Sequence, residues 1–353
     1  MKTPLFVILF VLVGSKFLFA QKVGEYPSLP SKVLTEYQPT SPTEASAKFS
    51  AKRANKFLDS LDADRLKEAS LPYDSPEKAI WTNVPPRGEQ GGVRLGDLNE
   101  KQLKLACDLL AAVLSPQGYS KAFGIPLADD LLLRNGERRP GFGAEDYWLA
   151  IFGDPSPTDP WALQFDGHHL AINLAFQGDA MTMSPTFIGT QPRGFELDGE
   201  TMEPMQGKDA AALTLFRTLD KGQKKEATMG RKRSNLKAGA GKDGFVPKAE
   251  GITAKDFNEK QREALMNVIR LYVEDLPPPF AERRMKELAS EADQIKFAWW
   301  GPAEDGGDYS YRIQGPSLII EFAGQDLGGD PHDHLHSIYR DPTNEYGARL
   351  GEK

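Results

Sequence analysis

Two segments of the chain space their hydrophobic residues at helical intervals and begin alike. The segments "LNEKQLKLACDLLAAVLS" (98–115) and "FNEKQREALMNVIRLYVE" (257–274) both carry Asn-Glu-Lys-Gln before their apolar positions. A break containing Pro or Gly follows each segment, and a second helix-like segment comes after it, at about 118–135 and about 280–293. The spacing predicts two pairs of helices, one in each half of the chain.

After each helix pair the hydrophobic pattern changes to a period of two, which indicates β-strands. Residues 149–179 align without a gap onto residues 297–327, with glycine, aromatic, aliphatic and glutamine positions in the same order. A tight turn joins the last two strands of each copy, with Asp-Gly at 166–167 and Gly-Pro at 315–316. The sequence therefore predicts an α+β fold, an internally duplicated helix–helix–antiparallel meander whose two halves pack about a pseudo-twofold axis.

The repeat also predicts the domain organisation. Half one covers about 98–195 and half two about 257–347, within a single duplicated domain at 51–353. A basic loop at about 220–244, with eight Lys or Arg residues, separates the halves. We interpret this stretch as a solvated loop, and the alternative is a patch that binds an anionic ligand.

The first residues have the layout of a secretory signal peptide. Lys2 precedes an apolar run, and the small residue Ala20 ends the segment. We predict a signal peptide at 1–20, an extended lead-in at 21–50, and a periplasmic or extracellular protein. An uncleaved N-terminal anchor is the alternative. No later stretch is apolar over a membrane-spanning length, so we expect no integral membrane span after signal removal.

Composition narrows the function further. The net charge of −7 and the isoelectric point near 5.5 argue against a general nucleic-acid binder. The single cysteine, Cys107, excludes an intramolecular disulfide framework and any multi-cysteine metal site. Because Cys107 lies in an apolar helical pattern, we expect it to be a buried core residue.

The five histidines of the chain fall into two short stretches. His168 and His169 are adjacent, and "PHDHLHSIYRD" contains His332, His334 and His336. Alternate residues of a strand point to the same side, so His334 and His336 would offer two imidazoles to one ion. We predict that His168 or His169 joins them to bind one transition metal ion, Zn, Cu or Fe, and that His332 is a further candidate ligand.

The histidines do not follow the repeat. The repeat offset places Thr186 and Ile188 where the second half has His334 and His336. Each half therefore has histidines where the other has none. This arrangement favours one composite site in a cleft between the halves over two identical sites.

Three other residues are candidates for catalysis beside the histidines. Glu321 is a possible fourth ligand or general base, and Arg340 is placed to orient an anionic group. Asp341 follows Arg340 and is either part of the site or its local ion-pair partner. Two alternatives stay open: a metal-free site for a polar ligand, and histidines that only satisfy buried carbonyl groups. No Gly-x-Ser-x-Gly elbow, Walker loop or His-Glu-x-x-His motif is present.

These motifs resemble a known bacterial family. "DGHHL", "PTFIGTQP" and the C-terminal "HLHSIYRDPTNEYG" are similar to the domain of unknown function 3500 family, over nearly the whole mature chain. The matching positions are His168, His169, His334, His336, Ser337, Arg340, Asp341 and Gly347. Asp333 stands where the family often has Asn, and Glu345 stands where Asp is usual. His332 directly precedes Asp333 as an extra histidine, so we interpret it as a local addition. The family name implies no activity, so the resemblance supports the site and not a reaction.

The sequence therefore predicts an exported protein with a histidine-rich cleft. We expect a metal-dependent enzyme, hydrolytic or oxidative, that acts on a small-molecule or polymeric substrate. The alternative is a non-catalytic metal-binding or small-ligand-binding protein of the cell envelope. The two differ in whether the metal keeps an open coordination position.

Overall fold

The structure, a computed structural model, describes residues 21–22, 28–39, 46–87, 90–136, 140–197, 199–233, 235–327 and 329–350. The predicted signal peptide lies outside these residues. The described chain has a mixed α+β fold, as the hydrophobic pattern predicts. No helix in the described ranges combines the length and the hydropathy that crossing a membrane requires.

The described ranges contain nine α-helices, and both predicted helix pairs are among them. They are α1 (Leu29–Glu36), α2 (Ala47–Leu58), α3 (Ala63–Ala69), α4 (Glu100–Val113), α5 (Pro116–Arg134), α6 (Lys208–Thr218), α7 (Lys221–Ala227), α8 (Glu259–Val273) and α9 (Pro278–Ser290).

The same ranges contain fifteen strands, several of them only two or three residues long. They are β1 (Gln21–Lys22), β2 (Ser70–Leu71), β3 (Val93–Arg94), β4 (Tyr147–Phe152), β5 (Trp161–Gly167), β6 (Leu170–Gln177), β7 (Ala180–Thr190), β8 (Phe195–Leu197), β9 (Glu200–Met202), β10 (Thr228–Gly230), β11 (Ile252–Thr253), β12 (Lys296–Trp300), β13 (Ser310–Gly315), β14 (Leu318–Gly324) and β15 (Leu335–Arg340).

Twelve of these strands form one sheet. Its order is β10-β12-β13-β14-β15-β7-β6-β5-β4-β2, with β11 beside β12 and β3 beside β4. The antiparallel meanders β4–β7 and β12–β15 meet where β7 and β15 pair antiparallel, which we call the seam. Strands β2 and β10 are parallel to their neighbours. The seam places β15, which contains His336 and directly follows His334, beside the first half of the chain.

The elements on the two sides of the seam follow the same order. Strands β2 and β3 with helices α2 to α5 precede the first meander, and β10 and β11 with α6 to α9 precede the second. Helices α4 and α8 begin with the same capping box, formed by Asn99 with Gln102 and by Asn258 with Gln261. Each glutamine also donates to a backbone carbonyl near the end of the preceding long helix, over 3.0 and 2.9 Å. These caps, each contributing about 1 kcal/mol, explain why both helices start at the repeated Asn-Glu-Lys-Gln.

One face of the sheet packs against the helices and forms the main core. Alternate residues of the strands, such as Leu163, Phe165, Ile172 and Ile320, are buried there. Burial of a side chain of this size contributes roughly 1.5–3 kcal/mol. The opposite face is also buried but carries many polar residues: Gln164, Asp166, Asn173, Arg312, Gln314, Glu321, His336 and Arg340.

Residues 231–233 and 235–248, which we call the strap, cover part of this polar face. The Ala238 N–H donates to Oε2 of Glu321 over 2.8 Å, and Nη1 of Arg340 donates to the Ala238 carbonyl over 3.2 Å. Ala238 is fully buried. The stretch predicted as a loop at 220–244 therefore includes α7 and β10, and it is buried at Ala227 and Ala238, while its other described residues are exposed or half-buried. Polar strand side chains satisfy the strap backbone where Ala238 is buried.

The expectation of an extended lead-in also needs correction. Residues 29–36 form helix α1, and α2 begins before residue 50. Ser28 caps α1 by accepting from the Ser31 N–H, and the Ser31 hydroxyl donates to the Asp130 carboxylate on α5. The cap and this long-range bond favour a helix over the extended backbone that the Pro-rich composition suggests.

Candidate functional site

His168 and His169 form the two-residue turn between β5 and β6. The turn predicted at 166–167 therefore lies two residues later in the chain, because Gly167 is still paired with Leu170 as part of the hairpin. His169 has a φ of 65°. This left-handed conformation costs a residue other than glycine about 1–3 kcal/mol, and such outliers often occur at functional sites. The His169 carbonyl accepts from the Gly189 N–H over 2.7 Å, which fixes the turn against β7.

His334 and His336 come from the connection between β14 and β15 and from β15 itself. His336 lies opposite Ala323 of β14 and opposite Gly189 of β7. The His334 carbonyl accepts from the Gln325 N–H over 2.7 Å, so the ladder continues one residue pair beyond the strand. The expected alternation along an extended segment holds, and both imidazoles point to the turn that carries His169.

His169, His334 and His336, which we call the triad, meet through their Nε2 atoms. The Nε2 of His334 lies 2.9 Å from that of His169 and 3.2 Å from that of His336. One ligand atom of each residue lies within 4.8 Å of the others, which is close enough to share one metal ion. His169 and His336 are buried, and His334 is half-buried.

Two features orient these rings. The Nδ1–H of His334 donates to the Leu327 carbonyl over 2.6 Å. Because a carbonyl only accepts, the neutral ring keeps the Nε2 lone pair for a metal. Gly189 lies against the other two rings: a Cβ added there would be 2.9 Å from Cδ2 of His336 and 3.0 Å from Cδ2 of His169.

Burial lowers the pKa of all three triad histidines. For His169 and His336 the pKa falls well below the usual value, first because of desolvation and then because of the neighbouring histidines. Desolvation also lowers the pKa of His334. The triad therefore consists of neutral imidazoles, the form that binds metals.

The other two histidines lie outside the triad. His168 is buried, and its Nδ1 lies 2.6 Å from Oδ1 of Asp129. The Nδ1 of His332 lies 2.8 Å from Oδ1 of Asp330 at the surface. Of the five candidate ligands, the structure thus brings three together and gives the other two a carboxylate partner each.

The three candidate catalytic residues are engaged elsewhere. Glu321 accepts from Nε of Arg312 over 2.8 Å and from the strap. Arg340 donates to Glu345 and to the strap carbonyl of Ala238. Asp341 accepts from Thr343 and lies 3.3 Å from Nη2 of Arg284. Glu321 shares a sheet face with His336, two residue pairs along the ladder, but its carboxylate binds Arg312 and the strap.

The strand register changes which residue of the first half corresponds to His336. In the second half His336 lies opposite Ala323, whereas in the first half Thr182 lies opposite Ala175. Thr182, and not Ile188, therefore has the pairing position of His336. The difference arises because β6 and β7 are joined by a two-residue turn, whereas a longer connection joins β14 and β15. The conclusion that the first half has no histidine at this position is unchanged.

Sequence reasoning missed several contributors to the site. Gly189, Asp129 and the Leu327 carbonyl contact triad residues or His168, yet they come from β7, α5 and a loop. Gly189 interrupts an apolar strand pattern in "FIGT", which is a signal for close approach of another group. Asp129 and Leu327 give no such signal.

Two cavities occur elsewhere among the described residues. One of about 370 Å³ lies between α1, α5 and β9, and another of about 140 Å³ lies beside α9 and the start of β7. No triad histidine lines either of them.

A family described as "Protein of unknown function (DUF3500)" matches residues 43–348. This range contains all five histidines and both meanders. No curated protein and no solved structure matches the chain.

Proposed function

The chain belongs to this family of proteins of unknown function, and from its triad we propose that it is a metal-dependent enzyme with one transition metal ion held by His169, His334 and His336. The observation that supports the proposal is the convergence of three Nε2 atoms within 4.8 Å. A Zn–N bond of about 2.0–2.1 Å places two ligand nitrogens of a tetrahedral ion about 3.4 Å apart. The two pairs at 2.9 and 3.2 Å would widen slightly to accept an ion, and the third pair lies within 4.8 Å.

The donor set favours zinc or copper over iron. All three donors are imidazole nitrogens, and the nearby carboxylates have other partners: Asp129 pairs with His168, and Glu321 with Arg312. A non-haem iron site would use two histidines and one carboxylate. Three neutral ligands leave the full charge of the ion available to polarise a bound water in a fourth position.

Hydrolysis by a metal-activated water is therefore the reaction class that we favour. An ion held by the triad would lower the pKa of a bound water, so that the nucleophile would not depend on a protein base. An oxidative copper enzyme could use the same three nitrogens, and the nature of the bound ion distinguishes the two.

A second candidate is a non-catalytic metal-binding protein of the cell envelope. It is favoured by one observation, that two of the three triad residues, His169 and His336, are buried. A closed site of this kind would bind the ion without an exchangeable ligand, whereas a catalytic site keeps one.

We also propose that the protein is exported and acts in the periplasm or outside the cell. The support is the sequence of residues 1–20, which has a basic start, an apolar run and a small residue at its end.

An internal duplication with a pseudo-twofold axis at the seam is part of the same proposal. Its support is the common order of elements on both sides of the seam and the matching capping boxes of α4 and α8. Polar pairs add to it: Nε2 of Gln164 donates to Asn173 over 2.7 Å between β5 and β6, and Arg312 donates to Glu321 between β13 and β14.

The proposal is tested by elemental analysis of protein produced in its native compartment. We expect one Zn or Cu per chain, and its loss in the His334→Ala, His336→Ala double variant with the far-UV circular dichroism unchanged. His332→Ala is the matched control, because it removes a histidine of the same segment that lies outside the triad, and it should retain the metal. Metal-free wild-type protein that also binds no Zn²⁺ or Cu²⁺ on titration would exclude the metalloenzyme. An exchangeable water on the bound metal would favour the enzyme over the storage protein.

A further inference from the structure

His168 lies directly behind the triad residue His169. The centroids of the two rings are 3.8 Å apart, and their planes differ by 25°. The other triad rings meet His169 nearly edge-on, at 4.9 Å and 60° for His334 and at 5.1 Å and 68° for His336. The His168 ring therefore covers one face of the His169 ring.

His168 is itself held by neighbours on several elements. Oδ1 of Asp129 on α5 lies 2.6 Å from its Nδ1, and the other oxygen of Asp129 accepts from the Gly143 N–H over 2.8 Å. Phe142 meets the His168 ring edge-on, with centroids 4.7 Å apart. The Tyr147 hydroxyl donates to the His168 carbonyl over 2.5 Å. These contacts leave the residue only 5% exposed and restrict rotation of its ring.

His169 needs such support because of its position. It sits in a two-residue turn in a left-handed conformation, so it has no register partner in the β5–β6 ladder. Rotation of an imidazole about χ2 is soft and is limited mainly by contacts. Gly189 limits the ring at its Cδ2 edge, and His168 limits it at its face.

We propose that His168 is a positioning residue, which Asp129 holds in face contact with His169 so that the His169 Nε2 stays directed at the metal. This inference rests on the proposed function, since it assigns a role next to the metal ligands. It gives the two adjacent histidines different roles, since His169 binds the ion and His168 fixes the plane of the His169 ring. Outer neighbours of this kind commonly change metal affinity by about 10- to 100-fold.

The inference is tested with two substitutions that differ in shape. His168→Phe keeps a flat ring against His169 but removes the bond to Asp129, and His168→Ala leaves a gap behind His169. We expect His168→Phe to bind Zn²⁺ within about 3-fold of wild type, and His168→Ala to bind about 10- to 100-fold more weakly. The visible absorption spectrum of the Co²⁺-substituted protein should change in His168→Ala and stay similar in His168→Phe. His332→Ala, which removes another carboxylate-paired histidine, should match wild type in both measurements.

Wild-type Zn²⁺ affinity and Co²⁺ spectrum in His168→Ala would overturn the inference. So would a His168→Phe variant that binds as weakly as His168→Ala, because the imidazole and not the ring contact would then matter. Crystal structures of the metal-free variants give a second readout: the His169 ring plane should rotate in His168→Ala and be retained in His168→Phe. If wild type binds no metal, the proposed function fails, and the ring planes of the metal-free variants still decide whether His168 positions His169.

Discussion

The substitution Gly189→Ala tests whether the two halves of the site are fitted to each other at the seam. Gly189 pairs with His336 across the seam, and its N–H holds the turn of His169. An added Cβ would lie 2.9 Å from Cδ2 of His336, 3.0 Å from Cδ2 of His169 and 3.0 Å from the Leu335 carbonyl oxygen. A single methyl group would thus press on two of the three proposed ligands.

The size of the effect follows from these distances. Carbon atoms in contact are normally about 3.5–4.0 Å apart, so each ring must move by about 0.5–1 Å. Ligand distances in a metal site tolerate changes of only about 0.2 Å. We therefore expect a loss of metal affinity of about 10- to 100-fold, which corresponds to about 1.4–2.7 kcal/mol. The crowded backbone should also lower the free energy of unfolding of the metal-free protein by about 1–3 kcal/mol.

The assay is a competition titration of metal-free protein with Zn²⁺ and a chromogenic chelator, at a temperature where circular dichroism shows both proteins folded. Gly315→Ala is the matched control. Gly315 also lies in a strand of the sheet, and an added Cβ would meet Cγ1 of Ile295 at 3.0 Å, far from the triad. The control should lose stability without losing metal affinity. Wild-type affinity in Gly189→Ala would show that the rings do not need this close approach, and the proposed geometry would be wrong.

Two further substitutions probe the polar face of the sheet. Asp166 is buried, and both of its carboxylate oxygens lack a hydrogen-bond partner. Desolvation raises its pKa well above the usual value. At a pH where the carboxyl is ionised in the unfolded chain, folding therefore takes up a proton. The free energy of unfolding should therefore fall as the pH rises above about 3.9, by up to about 1.4 kcal/mol per pH unit. In urea titrations between pH 5 and 8, Asp166→Asn should remove that slope. An equal slope in both proteins would show that Asp166 is solvated. Glu321→Gln removes the buried carboxylate partner of Arg312 and leaves it only the exposed Glu250, so it should cost up to about 3–5 kcal/mol of unfolding free energy while speeding tryptic cleavage of the strap. Its metal content should equal that of wild type, and a loss of metal would instead place Glu321 in the site.

The elements of the fold that could be predicted are those whose signals are local. The repeated Asn-Glu-Lys-Gln marks the starts of α4 and α8 because it forms a capping box within four residues. The period-two segments became the two meanders because strand alternation is also local. The contacts of the strap and the helix α1 could not be predicted, since they depend on Glu321 and Asp130, which are distant in sequence.

In the site, too, local sequence signals were predictive and contacts between distant residues were not. The pairing of His334 with His336 was predicted correctly because an extended His-x-His segment presents both rings on one side. The choice between His168 and His169 stayed open, since it depends on the left-handed backbone of His169 and on Asp129, far away on α5. Polar residues such as Glu321 look catalytic in a sequence because their structural partners, here a strap backbone, are invisible there.

The position of the triad at the seam follows from where the two halves differ. His169 comes from the first hairpin, and His334 and His336 come from the longer connection that enters β15. At the other end of the seam, the turn of the second half contains Ser317, whose carbonyl accepts from Arg284 over 2.5 Å. Arg284 donates to the carbonyl of this turn, as the Gly189 N–H donates to the carbonyl of His169. That end of the seam therefore has charged side chains in place of imidazoles. Under the proposed duplication, neither half alone contains the three-nitrogen triad, and the triad forms because the second half has the longer connection and the seam joins it to the first.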